Sequence, residues 1–130
     1  LDAIETASLI RKKQASARDV VEAHLARLDA MNPKINAVVR VLREDALAEA
    51  AAADEAIVHG DRLGRLHGVP ITIKDQFRLA EFPTVMGLAS RKTAREVADG
   101  PLVARLRAAG VEVMPPRSRR SAKNARKAET

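Results

Sequence analysis

The residue best placed to do chemistry is Lys74, which closes the run Val69 to Lys74. Val69, Ile71 and Ile73 alternate there with Pro70, Thr72 and Lys74, and a period of two puts Thr72 and Lys74 on one face of a strand. An amine there can serve as a base only if it is kept neutral, by burial or by a neighbouring positive charge. Residue type alone makes such a lysine an ordinary solvated edge residue.

Other candidates are weaker. His24 lies on the margin of an apolar helix face and reads as structural, while His59 and His67 fall in turns. No metal and no cofactor is expected. The chain has no cysteine, which excludes a thiol nucleophile, a thiolate zinc site and a disulfide framework. The serines at 8, 16, 90, 118 and 121 include no adjacent pair, and the six glycines are all isolated.

Several elements have to position Lys74. A short helix is expected over Thr6 to Lys13. A better one follows, capped by Ser16 with Asp19 at the third helical position. Its face carries Ala17, Val21, His24, Leu25, Leu28 and Met31, and Asn32-Pro33 should end it, because the residue before proline avoids the helical region. Asn36 to Leu42 reads as a strand buried on both faces. An alanine-rich helix then starts near Glu44 and Asp45 and stops at Gly60.

Beyond Lys74, residues 76 to 97 have no stable period and read as a long surface loop. Asp99 is expected to cap a helix with Pro101 in its first turn and Gly110 just past its end. Val111 to Met114 then forms a second strand. Strand, helix and strand make a βαβ crossover with a parallel pair, so the fold class is α/β.

Composition narrows the function further. Phe77 and Phe82 are the only aromatic residues, too few for a platform that stacks single-stranded nucleic acid. Residues 115 to 130 carry six basic residues against Glu129 alone, a net of +5, which leaves +1 of the total +6 for residues 1 to 114. The basic tail contains no Leu, Ile, Val, Met or Phe and is expected to be disordered. No apolar run approaches the ~20 residues needed to span a bilayer, so a cytoplasmic location is expected.

The segment LGRLHGVPITIKDQF, residues 63 to 77, resembles the catalytic-lysine segment of the amidase signature family. SARDVVEAHLARLDAMNPKINAVVRV resembles the helix and strand that precede it in those enzymes, and PLVARLRAAGVEV the helix and strand that follow. The resemblance covers nearly all of residues 4 to 114. It implies amide C–N hydrolysis through an acyl-enzyme, using a serine nucleophile, a bridging serine in a cis peptide linkage, and a lysine that Lys74 matches. Thr72 and Asp75 are its candidate supports. The family's Gly-Gly-Ser-Ser-Gly-Gly-like loop, which holds both serines, has no counterpart in this sequence. Clustered glycine N–H groups for an oxyanion hole are missing with it.

After Met114, PPRSRR stands where the family continues with glycine, lysine, threonine and asparagine. The expectation is a truncated or frameshifted N-terminal part of an amidase-signature fold at 1–114, with helices on an incomplete mixed sheet, followed by the tail at 115–130. A small amide is the substrate only in a complete enzyme, and self-association through unpaired sheet edges is expected. The alternative is a small non-catalytic module that binds nucleic acid or an acidic partner through its tail. The near-neutral body, with no basic stripe to accompany the tail, argues against a nucleic-acid role.

Overall fold

A computed structural model of the chain describes residues 1–113. Met114 and the basic tail lie outside the described residues. Helix α1 (Ala3–Arg11) starts earlier than expected, because Asp2 and Glu5 form a reciprocal capping box ahead of it. Helix α2 (Ala17–Ile35) begins as the Ser16 and Asp19 pattern predicts, with Ser16 Oγ accepting the Asp19 N–H at 2.9 Å.

The end of α2 corrects the sequence reading. Pro33 sits inside the last turn, and the helix stops at Asn36 in the left-handed region, with φ 47° and ψ 41°. Asn32 explains the delayed stop. Its side chain exchanges two hydrogen bonds with Val38, donating to the carbonyl at 2.8 Å and accepting from the N–H at 2.9 Å. That pair folds the chain back and replaces the backbone partners a strand would need.

Residues 36–42 are accordingly irregular and not a strand. Val39 is 78% exposed, so the expected burial on both faces is also overturned. β-Branched composition alone does not make a strand, since its preference is expressed through packing against neighbours.

Helix α3 (Arg43–His59) ends at Gly60 with φ 75°, as its sequence indicates. Its small face, Ala46, Ala50 and Ala53, is buried against Ile10, Ala17, Val21 and Leu25 of α1 and α2. Alanine lets the helix axes approach closely. The complementary bulk comes from Ile10 and Val21, each contributing about 1.5–3 kcal/mol on burial.

A second cluster lies around Lys74's segment. Strand β1 (Pro70–Ile71) pairs in parallel with β2 (Glu112–Val113), with Pro70 opposite Glu112 and Ile71 opposite Val113. Helix α4 (Pro101–Ala108) connects the second half of the chain to β2. Val103 and Val111 are buried and are packed by Leu66, Ile71, Ile73, Phe77, Leu79 and Leu106. The ladder is shorter than expected, since Val69 to Lys74 contributes only two strand residues. A mixed sheet is not present among the described residues, where the two-stranded ladder is the only sheet.

Asp99 does not cap α4. Gly100 occupies that position, and the Asp99 carboxylate instead accepts the Ala80 N–H and the Arg107 Nε–H, both at 2.8 Å. Arg107 also approaches Glu49 of α3 at 3.7 Å, so one guanidinium joins α4, α3 and the long loop. Residues 76 to 97 form turns with a short 3₁₀ segment at Ala89–Arg91.

Candidate functional site

The segment carrying Lys74 is held from both sides before the lysine is reached. Leu66 N–H donates to the Ala109 carbonyl at 2.8 Å, Gly68 N–H to the Gly110 carbonyl at 3.0 Å, and Glu112 N–H to the Val69 carbonyl at 2.9 Å. Gly64 permits this approach. A Cβ built there would lie 2.4 Å from the Ala109 carbonyl oxygen, closer than atoms tolerate. On the other side, His67 Nε2 lies 2.9 Å from the Ala53 carbonyl of α3. A carbonyl only accepts, so Nε2 carries the proton.

The alternation continues past the hydrogen-bonded ladder. Ile71 and Ile73 are half-buried against Val103 and Val111, while Thr72 and Lys74 are exposed. Lys74 therefore follows β1 by three residues. The Lys74 carbonyl accepts the N–H groups of Gln76 and Phe77 at 2.7 and 3.0 Å, turning the chain sharply away from the strand direction.

Asp75 does not pair with Lys74. Its two carboxylate oxygens accept the N–H groups of Val85 and Met86, at 3.1 and 3.0 Å. The bond to a turn ten residues away has no periodicity to betray it, and the sequence reading missed it. Thr72 is brought to the same exposed face as Lys74. Of the histidines, His24 is exposed with Nδ1 2.8 Å from the Val20 carbonyl, and His59 is exposed at the end of α3.

The site thus presents an amine on an exposed face, braced by backbone contacts on one edge and by a carboxylate-held turn on the other. The sequence profile described as "Amidase" matches residues 19–114. The chain belongs to the amidase signature family.

Among curated relatives, the indoleacetamide hydrolase of Bradyrhizobium diazoefficiens is 44% identical over 112 residues, covering 86% of this chain and 21% of its own length. Among solved structures, the peptide amidase of Stenotrophomonas maltophilia superposes with a TM-score of 0.78 at 30% identity, covering 88% of this chain and 24% of that one. A bacterial aryl acylamidase of the amidase signature family gives a TM-score of 0.81 at 28% identity, covering 89% and 24%. The chain spans only a fifth to a quarter of the length of these relatives. No helix among the described residues is long and apolar enough to cross a membrane.

Proposed function

We propose that this chain supplies the lysine of an amide-hydrolysing Ser, cis-Ser, Lys triad, and that Lys74 is that lysine. The observation that carries the reading is the position of Lys74 just beyond a parallel strand, within the stretch the amidase profile matches. In the reaction, a serine Oγ attacks the amide carbonyl carbon. Its proton passes through the bridging serine to the lysine Nζ, and a proton is returned to the departing amine. Water then hydrolyses the acyl-enzyme.

A lysine that accepts a proton at neutral pH has to be kept neutral, by enclosure or by a neighbouring positive charge. Lys74 is exposed among the described residues, and the 130 residues hold no adjacent serine pair. Under this reading both the enclosing wall and the nucleophile come from outside residues 1–113, and the substrate is a small amide bound only by the complete enzyme. The two-residue ladder has no further strand on either outer edge among the described residues, which supports self-association or pairing with that remainder.

The test is hydrolysis of simple amides and esters by the purified chain. No turnover above background is expected. Turnover that Lys74→Ala abolishes would overturn the need for outside serines.

A further inference from the structure

Asp75 stands next to Lys74, yet its carboxylate is spent elsewhere, on two consecutive backbone N–H groups of a turn ten and eleven residues further along. That turn is not one the backbone favours by itself. Met86 has φ +48° and Gly87 has φ +77°, two successive residues in the left-handed region, of which only glycine enters freely. Thr84, just ahead of it, has a buried hydroxyl oxygen with no hydrogen-bond partner among the described residues. A turn with these costs persists only where its surroundings hold it. Besides the Leu88 N–H to Val85 carbonyl bond at 2.9 Å that closes it, two charge-assisted bonds to one carboxylate tie this turn to the rest of the chain.

The other end of the brace is equally defined. Lys74 and Asp75 lie in a turn closed by the Gln76 and Phe77 N–H groups on the Lys74 carbonyl. Ile73 and Phe77, on either side, pack on the Val103 and Val111 cluster. Movement of the 84–87 turn is therefore coupled through Asp75 to the backbone of Lys74. We infer that Asp75 is a positioning residue: by clamping the Val85–Met86 turn its carboxylate fixes the backbone turn that carries Lys74, and it acts through that backbone and not through its charge on the amine. This deepens the reading of Lys74 as the site's lysine and rests on it.

The full 130-residue chain tests this with two readouts, amide hydrogen exchange by NMR and the rate of Lys74 acylation by acetic anhydride, read by peptide mass spectrometry with Lys34 as internal reference. Exchange in α2 and α3 confirms that each variant is folded. Asp75→Ala should speed exchange at Val85 and Met86 at least tenfold and change Lys74 acylation at least threefold. Asp75→Asn keeps an acceptor and discards the charge. It should retain protection of at least one of the two amides and an acylation rate within twofold of wild type. If both variants alter acylation alike while the Asn variant keeps its amide protection, the effect is one of charge and the proposal fails. It also fails if Asp75→Ala leaves both amides protected. Neither readout depends on hydrolysis, so a failure of Lys74's catalytic role would leave these outcomes unchanged and be recognised separately.

Discussion

Asp54 of α3 caps α2: one carboxylate oxygen accepts the Ala17 N–H at 2.7 Å and the other the Arg18 N–H at 3.2 Å. The first turn of α2 thus has two caps, Ser16 and Asp19 from its own sequence and Asp54 from its packing partner. The orphan N–H groups of a helix start are satisfied across the interface that buries Ala17 and Ala53. Asp54→Ala is expected to destabilise the fold by about 0.5–2 kcal/mol, the range of a lost cap. Urea denaturation followed by circular dichroism measures it, and a loss no larger than that of exposed Glu55→Ala would contradict the capping role.

Gly64 and Gly60 make a matched pair. Gly64→Ala would thrust a Cβ to within 2.4 Å of the Ala109 carbonyl oxygen, whereas a Cβ at Gly60 meets nothing within 4 Å and suffers only from its φ of +75°. Steric conflict with rigid backbone costs about 1–3 kcal/mol or more, against about 1–2 kcal/mol for the left-handed residue. Gly64→Ala should therefore lower the melting temperature more than Gly60→Ala. The reverse order would contradict the close approach of residues 64–68 to the end of α4.

Val103 and Leu102 test the second cluster. Periodicity puts both on the apolar face of α4, but Val103 is fully buried and Leu102 is 44% exposed. Val103→Ala should cost about 1–3 kcal/mol and Leu102→Ala within about 0.5 kcal/mol. Equal losses in denaturant titrations would mean that α4 is rotated from the orientation described.

Hydrogen bonding from the Ser16 side chain, then from its backbone N–H, holds the Asp19 carboxyl below its usual value of 3.8, against a small opposing effect of desolvation. The charge on neighbouring Arg18 adds to the lowering. A carboxyl depressed in the folded state stabilises that state fully above the unfolded value, and the contribution disappears as pH falls through the folded one. Its pH window therefore lies below about 4. Ser16→Ala should raise the Asp19 midpoint in a carbon-detected NMR titration, and an unchanged midpoint would contradict the capping box as its cause.

Local patterns were the legible ones. Ser16 with Asp19, Gly60 after α3 and Pro101 at the start of α4 are each decided within one helical turn, and the sequence reading placed them correctly. Asp2 and Glu5 show the same three-residue spacing as Ser16 and Asp19, so that cap was readable and was passed over. Residues 36–42 were misread because their β-branched side chains speak only to propensity, and the Asn32–Val38 hydrogen bonds that decide the backbone are a tertiary fact. Asp99 failed as a cap for a similar reason, its carboxylate being claimed by Ala80 and by Arg107 from a later helical turn. At the site, the alternation that exposes Thr72 and Lys74 was visible in the chain. The engagement of Asp75 with Val85 and Met86 was not, since nothing in residue spacing reports a contact across an irregular loop.

The central claim, that Lys74 is the proton-handling lysine of an amidase, is tested most directly by completing the enzyme. Residues 1–113 of this chain are fused to the portion of the Bradyrhizobium diazoefficiens indoleacetamide hydrolase that follows its matched segment, and release of ammonia from indoleacetamide is measured. The chimera should hydrolyse the amide, and Lys74→Ala should reduce kcat by at least ~100-fold, the lower bound for losing a positioned base, while the chimera remains folded. A folded, active chimera whose rate is unchanged by Lys74→Ala would contradict the account.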